Sequence, residues 1–141
     1  MSYETATMIE APFDETLQRV REELAAEGFG VLTEIDVQRT LYDRLGVPME
    51  DYVILGACNP ELAHQALETE RSIGVLLPCN VVVRSVGGRT CVEYVDPHSM
   101  VALTRVADLE PVAEEATTRL RAMVHRLQQP ALPSESETAH A

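Results

Sequence analysis

Two cysteines and one histidine are the residues of this sequence best suited to carry chemistry. Cys58 ends a short apolar run, Cys79 begins another, and His64 follows Cys58 by six positions. Two thiols and an imidazole in one cluster would suit a redox pair, a soft-metal site or a thiolate nucleophile. The spacing selects none of these, because the cysteines are 21 positions apart, with no Cys-x-x-Cys and no fourth ligand in view.

The neighbours of the cysteines have structural as well as chemical interpretations. Asn59 followed by Pro60 is typical of a helix N-terminus, where unpaired N–H groups would lower the pKa of the Cys58 thiol. Asn80 lies inside a predicted strand, where asparagine is disfavoured, so it either bonds a neighbouring loop or lines a pocket. Pro78 indicates a strand edge, a bulge or a strand start. The alternative for both thiols is that they are small buried hydrophobic side chains.

The other polar residues indicate no familiar catalytic motif. The glycines follow neither dinucleotide-binding nor Walker A spacing, and no serine has a Gly-x-Ser-x-Gly context. We expect His98 at the surface, and we expect Glu110, Glu114 and Glu115 to complement a helix dipole rather than to bind a metal. The sequence therefore assigns no metal ligand and identifies no cofactor, and whether the protein is an enzyme stays open.

Composition and charge limit the class of protein. The chain has 141 residues, which is long enough for one domain that buries about two-thirds of its unfolded surface. Its composition, 45% hydrophobic and only 4% aromatic, is that of a globular domain with an aliphatic core. Its 23 acidic and 11 basic residues, all of the latter arginine, give a net charge of −12. This charge disfavours nucleic acid and anionic membranes as partners. No apolar stretch could span a bilayer and the first residues do not form a signal peptide, so we expect a cytoplasmic protein.

Hydrophobic periodicity predicts an α+β domain with about five strands and two principal helices. The predicted strands cover residues 3–9, 29–35, 52–58, 73–78, 79–86 and 90–95. The principal helices cover residues 14–27, with Asp14 as N-cap, and 108–127, and shorter helices begin near residues 37, 60 and 97. The domain is thus expected over residues 1–127, followed by a disordered, proline-containing tail over residues 128–141.

A Gly87-Gly88 turn would fix the register of one hairpin. It places Val83 opposite Val92, so that Cys79 shares the helix-covered face with both valines while Cys91 points to the other face. We also expect Cys58 and Cys79 to meet at one end of the sheet, with less than about 12 Å between their Cα atoms.

The segments around the two cysteines resemble the bacterial and archaeal family called domain of unknown function 302. The resemblance covers roughly residues 3–127 and is strongest in the segments Gly56-Ala57-Cys58-Asn59-Pro60, Leu62-Ala63-His64, Ile73-Gly74 and Leu76-Leu77-Pro78-Cys79-Asn80-Val81-Val82-Val83. It implies a fold of the TATA-binding-protein-like class, β-α-β4-α, with two helices covering one face of a curved antiparallel sheet. It implies no established reaction.

Three functions fit these features. The first is a homodimer that binds a small-molecule ligand or effector at the Cys-Asn motifs, around Pro78 and Asn80. The second is a thiol-dependent redox or metal-binding protein that uses Cys58, His64 and Cys79, and the third is a purely structural domain. We favour the homodimeric binding module, because the sequence places no second catalytic group beside either cysteine, whereas a pocket needs only a break in the sheet.

Overall fold

A computed structural model describes residues 2–130 of the chain. Its strands are β1 (Glu4–Ile9), β2 (Gly30–Asp36), β3 (Tyr52–Cys58), β4 (Cys79–Val86) and β5 (Arg89–Val95). Its α-helices are α1 (Phe13–Ala26), α2 (Val37–Leu45), α3 (Pro60–Thr69), α4 (His98–Thr104) and α5 (Glu110–Leu127). Two 3-10 helices, Arg71–Leu76 and Ala107–Leu109, precede β4 and α5.

The five strands form one antiparallel sheet in the order β1-β5-β4-β3-β2. The chain therefore has the predicted α+β order, β-α-β4-α, with α2, α3 and α4 as insertions. Helices α1 and α5 pack against each other and against one face of the sheet, which we call the helix face. The side chains of Val20, Leu24 and Leu120 there are fully buried, as helical periodicity predicts.

The first helix ends just before Gly28, close to its predicted end, and starts before its predicted cap. Gly28 adopts a left-handed φ of 83°, and the Phe29 N–H donates to the Leu24 carbonyl over 2.9 Å, which is a Schellman-type end. The predicted cap was wrong, because α1 begins at Phe13 and Asp14 lies inside its first turn. Asp14 complements the helix dipole from that position.

The hairpin of β4 and β5 has the predicted register. Val83 pairs with Val92 and Arg84 with Cys91 across a turn in which Gly87 and Gly88 both have positive φ. The two valines are fully buried on the helix face. Cys91 lies on the opposite face, where it is nevertheless only 3% exposed. The register therefore separates Cys91 from Cys79.

The strand predicted over residues 73–78 was wrong, since Arg71–Leu76 is a 3-10 helix. The Glu70 side chain accepts from the Ser72 N–H over 3.3 Å at its start. Only Ile73 of this helix is buried, whereas Val75 is 86% exposed, so the apolar run does not correspond to a buried strand. The segment instead anchors a second core beneath α3 and α4.

The remaining sequence predictions concern the ends of the chain and the membrane. Among residues 2–130, no helix is long and apolar enough to cross a bilayer. Of the tail predicted over residues 128–141, the part from residue 131 onward lies outside the described residues.

Candidate ligand-binding cavity

An apolar cavity of about 310 Å³ lies where the two hydrophobic cores meet. The first core is formed by the sheet, α1 and the C-terminal part of α5. The second is formed by α3, α4 and the N-terminal part of α5. The ends of β3 and β4 supply one wall of the cavity, and the helices supply Leu62, Ala66, Met100, Val112 and Ala116. The cavity thus opens at one end of the sheet, next to both Cys-Asn motifs.

Small side chains on the facing helices leave this space open. Ala66 of α3 and Ala116 of α5 are both buried, and both line the cavity. Ala63 lines it from a half-buried position one residue after Leu62. Because an alanine in a packed helix layer leaves the volume that a larger side chain would fill, these alanines set the size of the cavity.

Cys58 and Cys79 both line this cavity, and the strand pairing brings them together. Ala57, the neighbour of Cys58, pairs directly with Cys79. Paired Cα atoms are at most about 5.5 Å apart and consecutive ones 3.8 Å, so the two cysteine Cα atoms lie within about 9 Å. The predicted proximity is therefore confirmed. Both cysteines are free thiols.

Burial shapes the chemistry of the second thiol. Removal from water, followed by the effect of the nearby Cys58, raises the pKa of Cys79 from 9.0 to about 11. Cys79 is therefore a protonated, neutral thiol at pH 7, so it is a poor nucleophile there.

Asn59 has the capping role that its sequence context indicated. Its side-chain oxygen accepts from the Leu62 N–H over 3.2 Å, and the residue is buried. The cap fixes the angle between β3 and α3, and so it places Cys58 at the cavity wall. Its side-chain nitrogen would lie 3.0 Å from a Cβ added at Gly28, so this corner of the fold is closely packed.

The structure does not bring His64 to the thiols. Leu62 and Ala66 face the cavity, and a residue midway between two such positions points to the other side of a helix. The His64 side chain is accordingly 76% exposed, and its Nε2 lies 3.6 Å from a carboxylate oxygen of Glu68. The predicted cluster of two thiols and an imidazole therefore reduces to the two thiols.

Pro78 and Asn80, the two residues that flank Cys79, lie at different sites. Pro78, which follows a cis peptide bond, lines the cavity. Asn80 is exposed and pairs with Gly56, and strand alternation turns its side chain to the face opposite the helices. There it lines a shallow surface depression with Tyr52 and Glu93. Asn80 is therefore separate from the thiol cavity.

Sequence reasoning missed the part of the cavity that the last two helices supply. Met100, Val112 and Ala116 are buried in the second core, where nothing in their sequence context distinguishes them from ordinary packing residues. The alternation of alanine with larger residues along α5 is the one available signal, and it is weak.

A second polar cluster lies on the surface of α4 and α5. His98 approaches Glu110 over 3.1 Å through Nδ1 and Glu114 over 3.2 Å through Nε2. One potential ligand atom from each of these residues lies within 4.8 Å of the others. Glu115, predicted to belong to the same acidic turn, instead pairs with Arg119 over 2.9 Å. Since both carboxylates are more than half exposed, we interpret this cluster as a network of polar contacts on the surface.

Comparison with known proteins agrees with the fold and the motifs. The family described as "Domain of unknown function DUF302" matches residues 5–127. A crystal structure of an uncharacterized conserved DUF302 protein from Bacillus stearothermophilus is similar, with a TM-score of 0.84 and 30% sequence identity. That match covers 90% of this chain and 99% of the other. No curated protein matches the chain. The chain therefore belongs to the DUF302 family.

Proposed function

We propose that this protein is a homodimeric binding module that takes up a small, neutral, apolar molecule in the cavity between its two cores. The observation that carries the proposal is the cavity itself, whose volume of about 310 Å³ is within the range of small-ligand sites. Packed interiors seldom leave a space of this size.

The lining indicates the chemical class of the ligand. No Asp, Glu, Lys, Arg or His of residues 2–130 lines the cavity, so a charged organic ligand would lose its hydration without gaining a charged partner. Asn59 already uses its side-chain oxygen as a helix cap. The Thr33 hydroxyl and the two thiols are then the polar groups that can orient a ligand. A compact aliphatic or aromatic molecule with one weak hydrogen-bonding group fits this lining.

Binding is better supported than thiol catalysis. A thiol-dependent enzyme needs a thiolate and a base, but Cys79 is protonated at neutral pH and His64 points to solvent. A redox or metal-binding role retains one supporting observation, the proximity of Cys58 to Cys79.

The dimer is supported by one edge of the sheet. β2 is an edge strand without a buried residue, and α2, which follows it, has none either. Exposed large apolar side chains are concentrated here, at Leu32, Ile35, Tyr42, Leu45 and Val47. A second copy that pairs along this edge would cover the unpaired backbone and the apolar side chains together.

Binding of N-phenyl-1-naphthylamine, a neutral apolar fluorophore, tests the proposed cavity. We expect fluorescence enhancement with the wild-type protein and a loss of at least about tenfold in affinity for Ala116→Leu, whose added carbons would occupy the space. Ala63→Leu is a second variant whose half-buried position tolerates the added volume more easily.

Ala25→Leu is the matched control, because it makes the same change on the exposed side of α1. Equal affinity of the wild-type, Ala116→Leu and Ala63→Leu proteins for the fluorophore would show that it binds elsewhere and would refute the cavity proposal.

A further inference from the structure

Three sulfur-containing side chains line the proposed ligand cavity. Cys58 and Cys79 lie on the strand side, and Met100 lies on the helix side. The protein has three cysteines and five methionines in all, so the cavity collects two of the three thiols. No imidazole or carboxylate from the described part of the chain accompanies them.

We propose that Cys58 and Cys79 bind one Cu(I) ion in this cavity, with the Met100 thioether as a third, weaker ligand. The proposal rests on the cavity of the proposed function and goes beyond that function, because a soft metal ion that bonds to sulfur is a second kind of occupant. Thiolate and thioether sulfurs are the ligands that Cu(I) prefers over harder ions.

The backbone geometry permits a shared ion. Two thiolates on one metal, each about 2.3 Å from it, tolerate a Cα separation of up to about 10 Å. Cys58 and Cys79 meet this limit, because the pairing of Ala57 with Cys79 keeps their Cα atoms within about 9 Å.

The donor set separates Cu(I) from zinc. A structural zinc site needs four nitrogen, oxygen or sulfur ligands, and a catalytic one needs three plus water. The cavity offers two ionisable sulfurs and one thioether in apolar surroundings, which suits two- or three-coordinate Cu(I). Binding replaces both thiol protons. Cys58–SH, Cys79–SH and Cu⁺ give the complex Cys58–S–Cu–S–Cys79 with a single negative charge, and two H⁺ are released to solvent.

Anaerobic titration with Cu(I)–bicinchoninate tests the proposal through the loss of the colour of that complex. We expect the wild-type chain to remove one equivalent of Cu(I). We expect Cys58→Ser and Cys79→Ser each to weaken binding by at least about 100-fold, the upper end of the effect of removing a group that only supports a ligand. Met100→Leu is expected to cause a smaller loss.

Cys91→Ser is the matched control, since Cys91 is the remaining cysteine and lies on the opposite face of the sheet. Unchanged binding in Cys58→Ser and Cys79→Ser, or an equal loss in Cys91→Ser, would overturn the proposal. Should the serine variants fail to fold, mass spectrometry of alkylated wild-type protein answers the same question. One equivalent of Cu(I) should protect Cys58 and Cys79, and unaltered alkylation of both would contradict the assignment.

The fluorophore separates this proposal from the proposed function. Cu(I) binding without binding of N-phenyl-1-naphthylamine would refute the apolar-ligand function and leave the metal site standing. Fluorophore binding without cysteine-dependent Cu(I) binding would refute the metal site and leave the apolar-ligand function standing.

Discussion

At the residue scale, Gly56 is the most tightly constrained position beside the thiols. A Cβ added there would lie 2.2 Å from Oγ1 of Thr33 and 3.0 Å from Cγ of Pro78. The contact with Thr33 is shorter than real Cβ contacts, the contact with Pro78 is tighter than most, and neither neighbour is the flexible end of a long residue. Gly56 is therefore required for the close approach of the strand ends that bear Cys58 and Cys79.

We expect Gly56→Ala to lower the free energy of unfolding by about 1–3 kcal/mol, the usual cost of overpacking. Gly74→Ala is the control, because no atom lies within 4 Å of an added Cβ and the residue has no positive φ. It should be neutral or stabilise by up to about 1 kcal/mol. Urea denaturation measures both, and Thr33→Ala should restore part of the loss in the double mutant. Equal effects at the two glycines would contradict the steric explanation.

The buried thiol of Cys79 should make stability depend on alkaline pH. Its pKa is about 11 in the folded protein and near 9.0 once unfolding exposes it, so only the unfolded chain ionises at first as the pH rises. The contribution of the buried, protonated Cys79 thiol to the free energy of unfolding is complete below pH 9 and is lost between pH 9 and 11. At about 1.4 kcal/mol per pH unit, the loss approaches 3 kcal/mol.

Thermal or urea unfolding of wild-type and Cys79→Ala protein between pH 7 and 11 measures this loss as the difference between the two pH profiles. Parallel profiles for the two proteins would show that Cys79 does not titrate as its burial requires.

At the element scale, local rules predicted the structure wherever the chain itself enforces the conformation. The Gly87-Gly88 turn fixed the β4–β5 register, and the helical periodicity of α5 identified its buried stripe. The rules failed at residues 73–78, where a short apolar run is compatible with either strand or helix. They also left His64 free to join the thiols, because only the packing of Leu62 and Ala66 decides which side of α3 faces inward.

Asn59 connects β3 to α3, so its loss should affect both stability and the thiols. We expect Asn59→Ala to destabilise the protein by about 1 kcal/mol, with a range of 0.5–2, because the Leu62 N–H loses its partner. Asn59→Asp retains an acceptor and should lose less. Thermal unfolding measures the change, and faster alkylation of Cys58 in the alanine variant would show that the cap positions the cavity wall.

Asp36 supplies a matched cap, since its side chain accepts from the Arg39 N–H over 2.9 Å at the start of α2. Because α2 has no buried residue, fraying of its first turn should cost less than fraying of α3. A larger loss of stability in Asp36→Ala than in Asn59→Ala would contradict the expectation that α3, which has buried residues, contributes more to stability than α2.

At the scale of the whole molecule, the cavity is a property of two cores and not of any motif. Its lining residues come from β2, β3, β4, α3, α4 and α5, so they are spread along the chain from Phe29 to Ala116. A hydrophobic pattern predicts which side chains point inward, but not whether they fill the space between layers. The thiols could be predicted to meet because they end adjacent strands, whereas Met100 and Ala116 could not be identified as their neighbours.

The edge formed by β2 and α2 is the surface at which we propose that two copies of the chain associate. Helix α2 begins at residue 37 as the sequence predicted, and Leu45 at its end is 70% exposed. An apolar stripe that meets no core within the chain favours burial against a second copy, and pairing through the edge strand β2 would close the dimer with two-fold symmetry. We therefore expect sedimentation equilibrium to give about 31 kDa, twice the chain mass of 15.6 kDa.

Leu45→Arg should shift the protein towards the monomer, because a charge at a closed apolar interface lacks a partner. Leu103→Arg is the matched control, as Leu103 is also 70% exposed but lies on α4, away from this edge. A wild-type protein that sediments at 15.6 kDa at every concentration, or a dimer that Leu45→Arg leaves intact while Leu103→Arg dissociates it, would exclude this edge as the interface.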